Sequence, residues 1–183
     1  MKRIILIHGW GGTSPEHWQN WIVQQAQERK DRLVSFPLMP NPDFPILKEW
    51  VSELKQTIGK PDSQTILVGH SLGVPTILRY LEQIQKGQRI GQAILVSGFA
   101  KPLKIKEIDE FVSAPFNWKK IRDSCEQFVV IHSDNDPIVP FHHAEHLSEK
   151  LGAPIQIEKN GGHITAPDFG AFPRIWKILQ SIQ

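Results

Sequence analysis

The sequence predicts an α/β fold with a doubly wound, mainly parallel sheet of about six strands and helices on both faces. Two observations carry this. Short apolar runs recur without polar alternation, as strands buried on both sides require. Amphipathic stretches of helical period separate them, as crossovers between parallel strands require. No linker, repeat or low-complexity tract divides the 183 residues, so a single domain over residues 1–183 is expected.

The elements follow in order. Residues 4–7 (IILI) read as the first buried strand. Residues 16–29 place Trp18, Trp21, Ile22 and Ala26 at helical spacing, with Thr13 or Ser14 as cap and Pro15 in the first turn. Residues 33–36 form a second strand. PLMPNPDFP holds four prolines in nine residues and reads as an extended loop. Residues 46–58 put Leu47, Trp50, Val51, Leu54 and Ile58 on one helical face. A third strand covers 65–68. The helix over 74–84 turns Ile77, Leu78, Leu81 and Ile84 inward. Strands are expected at 93–96, 128–131 and 155–157, and helices at 143–151 and 172–182.

Composition removes several function classes. The chain is 40% hydrophobic and 22% charged, with 21 basic against 19 acidic residues. So even a balance gives no field for nucleic acid. No run approaches the roughly 18 apolar residues of a membrane span. The four apolar residues before His8 are too few for a secretory leader. The lone Cys125 cannot form an internal disulfide. A soluble, cytoplasmic protein is expected.

The chemistry is written in ILVGHSLGVP, residues 66–75. Ser71 stands between Gly69 and Gly73 at the end of a strand and the start of a helix. In an open parallel sheet, ligands gather beyond the carboxyl ends of the strands. A serine on a tight turn there projects into that crevice, and a β-carbon at position 69 or 73 would collide with its neighbours. This G-x-S-x-G pattern is the nucleophile elbow of α/β-hydrolases.

A serine hydroxyl needs a base, and the base needs an orienting acid. On this fold the chain order is serine, acid, histidine. After the fifth strand, HSDNDPIVP offers Asp134 and Asp136. Asp136 is preferred because Pro137 stiffens the turn that presents it, while Asp134 reads as a turn-former or cap. After the sixth strand, NGGHITAP offers His163 on a glycine-bracketed loop. His8, His70 and His132 read as ties that hold loops in place. The stretch FHHAEH (His142, His143, His146) lacks the H-E-x-x-H zinc spacing, so no metal is expected. Acyl transfer also needs donors for an oxyanion. The N–H of Leu72, just after the nucleophile, is one. The N–H of Trp10 in HGWGG is the other. That loop lacks the G-x-G-x-x-G of a dinucleotide site, and no cofactor is expected.

These motifs resemble the YdeN / retinoblastoma-binding-protein-nine-like serine hydrolase family. HGWGGTSPEHWQNWI, PLMPNPDFPILKEWV, LVGHSLG, LVSGF, SDNDPIVP and GGHI carry the likeness across nearly the whole length. The resemblance implies a Ser71–Asp136–His163 triad without metal or organic cofactor. It also implies that Trp18, Trp21 and the proline loop form a framework near the mouth; core packing beneath that loop is the alternative for both tryptophans. The L-x-C-x-E retinoblastoma-binding pattern is absent, because Cys125 sits in RDSCEQF, so that partner does not carry over.

Hydrolysis of carboxylic esters or related acyl bonds of small substrates is the function expected. A non-catalytic interaction module on a hydrolase fold is the alternative. Dehalogenases and epoxide hydrolases of this fold generally need a carboxylate where Ser71 stands. Residues 98–126 hold one short helix, expected over 105–112, with Phe99, Phe111, Phe116 and Trp118 nearby. They suffice for one flap over the crevice and not for a large lipase lid. A shallow, open site for short acyl groups is expected.

Overall fold

A computed structural model describes residues 1–13, 15, 18–165 and 169–181. Strands β1 (Lys2–Ile7), β2 (Arg32–Ser35), β3 (Thr65–His70), β4 (Ile90–Val96), β5 (Cys125–Ser133) and β6 (Ile155–Glu158) form one sheet of order β2-β1-β3-β4-β5-β6. Every pairing is parallel. All residues of β3 and β4 are buried, whereas edge strand β6 is only partly covered. That is why the central strands read as unbroken apolar runs.

Helices α1 (Trp18–Gln27) and α7 (Pro173–Ser181) cover one face. Trp18, Ile22, Phe172, Ile175 and Leu179 pack there on Ile4, Leu6, Ile66, Val68, Ile94 and Val96. The other face carries α2 (Leu47–Ile58), α3 (Gly73–Leu81) and α6 (His142–Leu151), with α5 (Trp118–Asp123) beside them. Strand order reverses at β1, whose neighbours are β2 and β3. A crevice at the carboxyl ends of β1 and β3 follows from that reversal. The loops carrying Gly9 and Ser71 open into it.

Most elements stand where the apolar pattern puts them, and the differences have physical reasons. The third helix ends at Leu81, not Ile84. Its last turn tightens through Gln83 N–H to Tyr80 O and Ile84 N–H to Leu81 O, and this still buries Ile84. The helix expected over 105–112 is broken at Asp109 into a 3₁₀ turn (Lys106–Ile108) and α4 (Glu110–Ser113). Helix α5 was not foreseen; its signal is Asn117, whose side chain accepts the Lys120 N–H as an N-cap. The start of the first helix at residue 16, its Ser14 cap and the end of the last helix at 182 lie outside the described residues.

The segment between β4 and β5 is not a flap. Phe99, Ile108, Phe111, Val112 and Ile121 are buried in the core. Arg79 of α3 clamps it, donating to Phe111 O at 2.9 Å, with its guanidinium 3.7 Å from the Phe116 ring centre. The tryptophans also sort differently from expectation. Trp50, not Trp18 or Trp21, packs under the proline loop and donates to Pro40 O at 2.7 Å. Trp18 and Trp21 lie on the opposite face, edge-on to Phe172 and Trp176. Among the described residues no helix is long and apolar enough to cross a membrane.

Candidate active site

Ser71 follows β3 directly and has φ +52°. A non-glycine residue in this left-handed region is strained by roughly 1–3 kcal/mol. The turn is held by Ser71 N–H to Val96 O at 2.9 Å and Val74 N–H to Ser71 O at 3.0 Å. It is also tight. A β-carbon on Gly73 would lie 2.5 Å from Ile7 O, and one on Gly69 would lie 2.7 Å from Ile77 Cδ1 and 2.8 Å from Gly73 O. The two glycines are therefore steric requirements of the elbow.

Ser71 and His163 line one cavity of about 270 Å³, with Gly9, Trp10, Gln19 and Ile138 among its walls. Residues 97–124 contribute nothing to that lining. Behind His163 sits Asp136, with its side chain fully buried. His163 Nδ1 lies 2.8 Å from Asp136 Oδ2 and 3.0 Å from Oδ1. The carboxylate accepts there, so Nδ1 carries the proton and the neutral ring keeps its lone pair on Nε2. Asp136 Oδ1 also accepts the Ile138 and Val139 N–H groups, each at 2.9 Å. Burial pushes the carboxyl up, but His163 and these two N–H groups outweigh it and hold the pKa below the ordinary value.

The loop after β5 grips the histidine loop residue by residue. Ser133 Oγ accepts the Gly161 N–H, Asp134 Oδ1 the Asn160 N–H, and Asn135 Oδ1 the Gly162 N–H, each at 2.9 Å. Asp136 then takes the His163 ring. Asp134 reaches no part of that ring and pairs instead with Lys159 at 2.9 Å. Of the two aspartates, the structure brings Asp136 to the His163 ring. The bracing by Ser133 and Asn135 was missed, although the run of short polar side chains in SDND is its signature.

The remaining histidines are structural in placement. His8 donates from Nδ1 to Gly9 O at 2.7 Å and accepts the Met39 N–H on Nε2 at 3.1 Å, joining the first loop to the proline loop. His132, fully buried, donates from Nε2 to Val139 O at 2.8 Å. Its Nε2 is 3.6 Å from Asp136, but burial holds its pKa down, so this approach is not an ion pair. His142, His143 and His146 belong to α6 and take no part in the cavity lining.

Leu72 follows Ser71 in the chain, and Trp10 shares the cavity that Ser71 lines. Leu72 directly precedes α3, where the first N–H groups of a helix have no intrahelical partner. Trp10 lies in the cavity wall, about two-fifths exposed, with its indole N–H donated to Asp43 O at 2.9 Å. Together with Gly11 N–H to Pro42 O, this fastens the Trp10 loop to the proline loop.

A six-stranded parallel sheet with a strained serine elbow facing a histidine is the arrangement of an α/β-hydrolase. The chain belongs to the serine hydrolase family, whose sequence profile matches residues 4–181. It is 36% identical to the protein YdeN of Bacillus subtilis (strain 168), over 98% of this chain and 95% of that one. It is 25% identical to the serine hydrolase RBBP9 of Rattus norvegicus, over 97% and 95% of the two chains. The crystal structure of the B. subtilis ydeN gene product superposes with a TM-score of 0.93 at 35% identity, covering 100% of this chain and 98% of that one. Esterase PE8, at 20% identity and a TM-score of 0.67, shares the fold.

Proposed function

We propose that the protein hydrolyses carboxylic esters, or related acyl bonds, of small substrates through an acyl-enzyme on Ser71. The observation that carries this reading is the buried Asp136 carboxylate bonded to His163 Nδ1, in a ring that shares its cavity with Ser71. His163 Nε2 takes the Ser71 proton as Oγ attacks the substrate carbonyl. Asp136 holds the ring in the required tautomer and stabilises the imidazolium that forms. The Leu72 and Trp10 N–H groups donate to the oxyanion, beside the positive end of α3. Collapse of the tetrahedral intermediate breaks the acyl–oxygen bond, and His163 returns the proton to the leaving alcohol. Water, deprotonated by His163, then attacks the acyl-enzyme, releasing the acid and restoring Ser71.

None of these steps calls for a metal or organic cofactor. The cavity volume supports small acyl groups. A cytoplasmic setting is part of the same reading, since the lone Cys125 has no internal partner for a disulfide. The test is a panel of short acyl esters, thioesters and amides, turned over by the wild type and by Ser71→Ala. Turnover that Ser71→Ala abolishes while staying folded supports the reading. Undiminished turnover in Ser71→Ala refutes it, and no turnover of any class would favour an interaction module.

A further inference from the structure

The brace from Ser133 to Asp136 engages residues 160–163 and goes no further. Just beyond it the chain is strained. Ile164 has φ +53°, a conformation that a β-branched residue rarely adopts. Two side chains from distant elements meet the backbone there. His70 Nε2 lies 2.9 Å from the carbonyl oxygen of His163. Trp18 Nε1 donates to the carbonyl oxygen of Ile164 at 2.8 Å. The two carbonyls are consecutive. One donor ends β3, immediately before Ser71; the other opens α1. Both are buried, and their rings meet edge-on at 6.1 Å.

We propose that His70 and Trp18 are positioning residues, which capture the His163 and Ile164 carbonyls and so hold the His163 ring between Asp136 and Ser71. This rests on the reading of His163 as the base. Because a carbonyl can only accept, His70 must carry its proton on Nε2. Burial first, then the neighbouring His163, pushes the His70 pKa down to about 3, so the ring stays neutral. It therefore adds no charge beside His163, whose ring centre is 4.9 Å away. The residue between Gly69 and Ser71 thus ties the nucleophile's turn directly to the base's loop. Displacing a reacting group by about 1 Å costs on the order of 10²-fold in rate.

The test uses His70→Leu, which removes the donor, His70→Gln, which keeps an N–H donor, and Trp18→Phe, which keeps a ring without its N–H. Each is measured for kcat and KM on a short p-nitrophenyl ester. Each is also examined by proton NMR for the deshielded Nδ1 proton that His163 shares with Asp136. The expected result is a fall in kcat of at least about tenfold for His70→Leu and Trp18→Phe with KM little changed. The Nδ1 resonance should shift or broaden in both, and His70→Gln should recover part of each loss. Folded His70→Leu or Trp18→Phe with wild-type kcat and an unmoved resonance would overturn the proposal, as would a His70→Gln no better than Leu. The resonance reads ring placement without turnover. A wild type that hydrolyses nothing would therefore defeat the catalytic reading while this test still decided the positioning.

Discussion

The Asp136 carboxylate embraces one nitrogen of His163, with both oxygens within 3.0 Å of Nδ1. Two backbone N–H groups of its own loop pin the same carboxylate. An amide in its place would keep the shape and lose both the charge and the choice of tautomer. Asp136→Asn should therefore lower kcat by roughly 10⁴-fold on a short ester while the protein stays folded. Asp134→Asn retains an acceptor for the Asn160 N–H and loses only an exposed pairing with Lys159, so it should remain near wild type. The reverse order of the two purified variants would show that the acid is misassigned.

Acyl length is the next measurable consequence. Residues 97–124 turn Phe99, Ile108, Phe111, Val112 and Ile121 into the core, are clamped by Arg79, and supply no wall to the cavity. With no broad apolar underside to receive a long chain, kcat/KM for p-nitrophenyl esters should peak at short acyl groups. Activity should not jump when long-chain esters form micelles. A steady rise to long chains, or such a jump, would contradict this.

The segment after β4 packs inward instead of forming the expected flap. Its aromatic residues Phe99, Phe111 and Phe116 are visible in the sequence, but aromatic content does not say which side of a segment they serve. Arg79, a charged residue in an otherwise apolar helix, is buried and organises that packing. Trp18 posed the same difficulty: its helical spacing marks a buried face without saying which side of the sheet it meets. The elbow, by contrast, was legible because steric crowding at Gly69 and Gly73 leaves a local trace. The paired Asp136 and His163 were legible as candidates through chain order and their places after strands. His70 was legible as a tie and the polar run SDND as a brace, but their partners, like the Trp18 bond to Ile164 O, lie far away in the chain, and no local pattern records which residues they meet.

Acid stability follows from the buried histidines. His8, His70, His132 and His143 all lie below their ordinary pKa of 6.5, chiefly through burial, with His70 at about 3 and His143 at about 4. The unfolded chain takes up these protons near pH 6.5, whereas the folded chain refuses them until lower pH. Their contribution is therefore complete above pH 6.5 and is lost as pH falls toward 4. For a single such group the slope is at most roughly 1.4 kcal/mol per pH unit. Denaturant unfolding should show stability declining from pH 7 to pH 4.5, with a shallower decline in His143→Leu. A flat profile, or an unchanged slope in that variant, would contradict the assignment.

The central claim is that Ser71 is an activated nucleophile. The most direct measurement is reaction of the native protein with a fluorophosphonate probe, followed by peptide mass spectrometry. Covalent modification at Ser71, absent from Ser71→Ala and strongly slowed in His163→Ala, is the predicted result. A native protein that leaves the probe unreacted, or carries the adduct on another residue, would contradict it.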